Sequence, residues 1–142
     1  MRIRSIAMLL GTLGLMECNG TGPVFTPSAL NSPFALQTIN AAAIPAVVID
    51  SANPPLRLDA LSGTITINVD HTFVDVTTFR QTLAGVVSTR TVNCTGVYQA
   101  VGSVFEFVES GPAPECNFTF SGVLNGATLS ASVLGIPATF SQ

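Results

Sequence analysis

Lysine and tryptophan are absent from this chain of 142 residues, and histidine and tyrosine occur once each. Each absence removes a class of chemistry. With His71 alone, no histidine cluster can hold zinc, and a serine or cysteine nucleophile has one conceivable base. His71 follows Asp70 in a short polar turn, where a solvated side chain is the ordinary occupant. Charge is scarce too: five arginines and eight acids leave a net −3. A body with so few cations offers no basic patch to nucleic acid or to an anionic membrane surface. No Gly-rich phosphate loop, Cys-x-x-Cys pair or calcium loop occurs. Glu106 and Glu109 lie three apart on one expected strand and so on opposite faces, which spoils an acid and base pair. No catalytic residue, metal or cofactor is therefore expected. Helical periodicity is missing as well, beyond the first residues.

What is present begins with an export pattern. "MRIRS" is basic, and "IAMLLGTLGLM" adds eleven mostly apolar residues, too few for a bilayer span of about twenty. Residues 1–17 are thus expected to be a removable signal peptide. "LMEC" resembles the end of a bacterial lipoprotein signal, with Leu15 and Cys18 at the required spacing. This resemblance implies lipidation at Cys18, a membrane anchor, and a periplasmic or cell-surface address. Glu17 stands where that signal has a small residue; ordinary cleavage nearby, for instance after Gly20, is the alternative. Residues 18–33, rich in Gly, Pro, Thr and Ser, read as a flexible tether. Without residues 1–17, three arginines face seven acids, a net charge of −4.

Three cysteines are present, an odd number for an oxidising compartment. Lipidation of Cys18 leaves Cys94 and Cys116 as the candidate disulfide. In a regular sheet they would sit two strands apart, about 9.5 Å, beyond the roughly 7 Å that a disulfide spans. The loop "SGPAPEC", with two prolines, provides a way to fold Cys116 back. Two buried free thiols are the alternative.

From residue 34 onward apolar residues recur with period two. In "GTITINV", Ile65, Ile67 and Val69 alternate with polar partners, which places the three on one face of a strand. A tight turn at Asp70 and His71 leads into "TFVDVTTF". "STRTVNCTGVYQ" and "VFEFVE" form a second hairpin, and "CNFTFSGV" and "TLSASVL" a third; "FALQTI" and "IPAVVID" open the series. Asp75 is read as facing outward; an inward Asp75 would need Arg80 or Arg90 as partner. The fold expected is all-β, an antiparallel up-and-down meander of eight or nine strands closed into a small barrel, with a two-sheet sandwich as the alternative. Strands of about six to eight residues with polar outer faces are too short for a membrane barrel.

Four segments carry a family resemblance. "FALQTINAAAIPAVV", "LSGTITINVDHTF", "TGVYQAVGSVFEF" and "FSGVLNGATLSASV" resemble, in order, the repeated hairpins of the lipocalin-like domains of small bacterial lipoproteins. His71 replaces their turn glycine. The resemblance covers residues 34–142 and implies an eight-stranded barrel, a monomer, and no catalytic residues. It also implies a cavity for a small apolar ligand, lined by Ile65, Ile67, Phe73, Tyr98, Phe105, Phe107, Phe118 and Phe120. Two functions of different class are expected: a tethered, non-enzymatic envelope lipoprotein that binds such a ligand, or a structural or protein-interaction module with a solidly packed barrel. Eight strands lie at the margin between the two.

Overall fold

A computed structural model of the chain describes residues 29–111 and 114–142. The expected signal peptide, Cys18 and most of the expected tether lie outside these residues. Ten strands follow one another: β1 (Pro33–Ile39), β2 (Ala42–Ala43), β3 (Ala46–Ala52), β4 (Pro55–Ile67), β5 (Thr72–Leu83), β6 (Val86–Val101), β7 (Val104–Ser110), β8 (Thr119–Asn125), β9 (Thr128–Val133) and β10 (Ile136–Ser141). No α-helix occurs among the described residues. Every ladder is antiparallel. From β4 to β10 each strand pairs with the next in sequence, and β10 pairs with β1.

Closure comes from β1. Its first residues pair with the end of β4, Pro33 opposite Thr66 and Ala35 opposite Thr64, so eight strands make a continuous wall. The other two are additions: β2 pairs with the end of β1, and β3 with the first half of β4. The barrel also begins earlier in the chain than residue 34. Pro33 belongs to β1, the Asn31 amide donates to the Ile67 carbonyl at 2.7 Å, and Gln142 Nε2 donates to the Ala29 carbonyl at 2.9 Å. Residues 29–33 are thereby tied to one end of the barrel instead of belonging to a tether.

Alternation explains which side chains fill the interior. On β7, Phe105 and Phe107 are buried while Val104, Glu106 and Val108 are exposed. On β6 the buried set is Val92, Cys94, Gly96 and Tyr98. Ile65 and Ile67 are fully buried, but Val69, expected beside them, is 61% exposed. The strand ends first, because Asn68 Nδ2 donates to Thr72 Oγ1 and Asp70 Oδ1 accepts from the Thr72 amide, which builds a side-chain-locked turn. His71 sits in that turn with φ 65°, a left-handed conformation that histidine tolerates better than most side chains.

The middle strands outrun the others. "TFVDVTTF" and "STRTVNCTGVYQ" extend toward each other until β5 and β6 meet across Ala84 and Gly85, both at positive φ, the backbone of a tight hairpin. The β7 ladder reaches only Thr95 of β6, so the first half of β6 pairs with β5 alone. The hairpins β3–β4 and β5–β6 therefore overhang one mouth of the barrel.

Inside, aromatic rings form a column. Phe73 meets Phe107 edge-on at 5.0 Å between centroids, Phe107 stacks on Phe120 at 4.9 Å, and Tyr98 reaches Phe105 at 5.4 Å. Gly96 makes room for it. A Cβ there would fall 2.2 Å from the Val108 carbonyl oxygen and 2.5 Å from the Phe73 ring. Neither can yield, since one is ladder backbone and the other the packed centre. Gly96→Ala should therefore destabilise the fold by about 3 kcal/mol, the upper range for overpacking. Urea unfolding checks this, and an unchanged midpoint would show that the wall opens freely at this point.

Candidate functional site

The two ends of the barrel differ. At the end formed by the β4–β5 turn, Tyr98 donates its hydroxyl to the Asn68 carbonyl at 2.7 Å, and the exposed His71 ring lies 5.4 Å from Tyr98. That end is sealed. Under the overhang at the opposite end is a cavity of about 70 Å³, open at its mouth.

Two carboxylates face this cavity. Asp75, from β5, points inward, against the outward orientation expected, and is 9% exposed. It stays in phase with buried Phe73 and Phe79, as β-strand alternation requires. Neither Arg80 nor Arg90 reaches it; Thr77 Oγ1 donates to Asp75 Oδ1 at 3.0 Å, and no ion pair to Asp75 exists among the described residues. Glu109, from β7, is half-buried in the same cavity. Its Oε2 accepts from the Phe118 amide at 3.3 Å. Burial pushes the Asp75 carboxyl up to about 6, with the Thr77 hydrogen bond working the other way. Burial pushes Glu109 up to about 7; the Phe118 amide opposes this and the charge of Asp75 adds to it.

The arginines are committed elsewhere. Arg80 Nη2 and Arg57 Nε hold the buried Asp59 at 2.8 and 2.9 Å. Burial alone would raise the Asp59 carboxyl, but hydrogen bonds and charge from both guanidinium groups overcome it and hold the group below the usual carboxylate range. Arg90 pairs with Glu115 at the cavity rim and places its guanidinium 5.9 Å from the Phe79 ring centre.

The rim is fastened covalently. Cys94 and Cys116 form a disulfide, with Cα atoms 5.2 Å apart. Cys94 points inward from β6, and the 3-10 turn Pro114–Cys116 carries Cys116 back over the sheet, so the flat-sheet separation does not apply. A bridge closing a loop of this length contributes about 3 kcal/mol in chain-entropy terms.

The residues expected to line an apolar cavity divide. Ile65, Ile67, Phe73, Tyr98, Phe105 and Phe107 are 0–6% exposed and fill the interior. Phe118 precedes β8, is 44% exposed and stands at the mouth, with the half-buried Phe120 beneath it. The carboxyl pair is the feature that the sequence reading missed. Its signal was phase: Glu109 continues the inward series Phe105 and Phe107, as Asp75 continues Phe73. No family model, curated protein or solved structure matches this chain.

In the folded protein both carboxyls keep protons that the unfolded chain has released, so stability falls as pH rises. For Asp75 the fall runs from its ordinary 3.8 to about 6, and for Glu109 from 4.5 to about 7. Asp75→Asn keeps an acceptor for Thr77 and removes the charge. At pH 8 the variant should be more stable than the parent by on the order of 2 kcal/mol, with no difference at pH 4. Urea unfolding at the two pH values measures this; a less stable variant at pH 8 would mean that the charge is compensated.

Proposed function

We propose that this protein is a non-enzymatic, exported module of the cell envelope, lipidated at Cys18, whose solidly packed barrel works through its mouth and outer wall and not as a lumen for a large apolar ligand. The observation that carries this reading is the filled interior: Phe34, Phe73, Phe107, Phe140, Ile65 and Ile67 are all 0% exposed. Eight strands can either just fill or leave room for one ligand, and six such side chains favour filling. Export is supported by the basic and apolar N-terminal pattern and by the disulfide, a bond that persists in oxidising compartments. The lipocalin-like resemblance supports the same address. A non-enzymatic role is supported by the exposed position of His71 in its turn.

Expression of the full chain in a bacterial host, followed by native mass spectrometry, tests both parts. The expected mature product begins at Cys18, carries a diacylglyceryl group and retains no apolar small molecule. An unmodified N-terminus would overturn the anchor, and a co-purifying lipid bound without a covalent link would overturn the packed module.

A further inference from the structure

We propose that the cavity under the overhang is a binding site for a small organic cation, a primary ammonium on a short aliphatic stem, held between the carboxylates of Asp75 and Glu109 with the stem against Phe118 and Phe120. Three observations carry this beyond the packed-module reading. The first is an incomplete hydrogen-bond set. Asp75 is nine-tenths buried and faces the cavity, yet its only side-chain bond is from Thr77 to Oδ1; Oδ2 has no hydrogen-bond partner among the described residues. An ammonium group brings three donors and supplies what the protein withholds.

The second observation is charge. The chain has no lysine, and its described arginines are bound to Asp50, Asp59 and Glu115. The charged groups around the cavity are Asp75 on β5, Glu109 on β7, and the Arg90–Glu115 pair at the rim, which is internally neutral. Among the described residues the cavity interior is thus acidic with no free cation facing it, and where both carboxyls are ionised an external cation would offset their charge. The third is shape. About 70 Å³ with an open mouth admits a head group and the first carbons of a stem, for which Phe118 and Phe120 supply an apolar wall. A metal ion fits less well: no group of three or more His, Cys, Asp or Glu residues able to hold one exists among the described residues.

The test uses the full chain, purified as processed, and n-butylammonium as probe, in isothermal titration calorimetry at pH 8 and pH 5. The ammonium stays charged at both. Saturable binding at pH 8 is expected, with a Kd on the order of 1 mM, within reach of a ligand of about five non-hydrogen atoms. Affinity should fall at least tenfold at pH 5, where both carboxyls hold protons, and at least tenfold in Asp75→Asn and in Glu109→Gln at pH 8. Butan-1-ol, of the same shape without charge, should bind at least tenfold more weakly. Circular dichroism of each variant establishes that it is folded, and either folded variant suffices. The proposal is overturned by absence of butylammonium binding at pH 8, by equal binding of butan-1-ol, by unchanged affinity in a folded variant, or by stoichiometric calcium binding that displaces the amine.

Discussion

The ladder between the start of β1 and the end of β4 is the contact on which the rest of the structure depends. Three residue pairs from Pro33 to Ala35 and Thr64 to Thr66 turn a meander of eight strands into a closed wall, with free edges left only where β2, β3 and the first half of β6 extend beyond it. An open sheet would expose the Phe73, Phe107 and Phe120 column on one face and unpaired backbone groups at both edges, the two features that invite aggregation. Closure solves both at once. It also explains why residues 29–33 are tied down: the Asn31 amide bonds the Ile67 carbonyl, so the segment entering β1 is fixed where the closing ladder begins.

Closure by unequal strands has a further consequence. β4, β5 and β6 have 13, 12 and 16 residues, while β7 to β10 have six or seven. The barrel is stepped at the end away from Tyr98. At the step the first half of β6 lacks a second ladder partner, and the loop carrying Cys116 lies across it, held by the disulfide and by Arg90 with Glu115. The same loop places Phe118 over the cavity and lends its amide to Glu109. One covalent bond therefore guards an edge and shapes the mouth.

Much of this was legible in the sequence because period-two alternation is a local property. The strand pattern of Ile65 and Ile67, of Phe105 and Phe107, and the closed all-β architecture follow from it. What escaped depends on register and on ends. Val69 continues the alternation but lies beyond the last ladder pair, where Asn68, Asp70 and Thr72 bond one another in preference to the sheet. "RQTLAGVV" lacks a strong apolar alternation, yet it lengthens both β5 and β6, because pairing between two antiparallel strands proceeds until a turn stops it. The Cys94–Cys116 bond, by contrast, forms as the candidate pair, through the loop that carries Cys116 back over the sheet.

The carboxyl pair shows the same division in its sharpest form. Phase alone places Asp75 with Phe73 and Glu109 with Phe107, whereas charge preference places both outward; composition-based reasoning weighs the second and the closed wall enforces the first. Turning Asp75 out would require a one-residue slip of β5, which would expose Phe73 and Phe79 together. Two buried phenylalanines outweigh one buried carboxyl that has the option of taking up a proton, since each large apolar side chain is worth roughly 1.5–3 kcal/mol in burial and protonation removes most of the cost of the acid. Glu109 is under the same constraint from Phe105 and Phe107. The fold thus holds two acids in one cavity, and among the described residues each has a hydrogen-bond donor but no counter-ion.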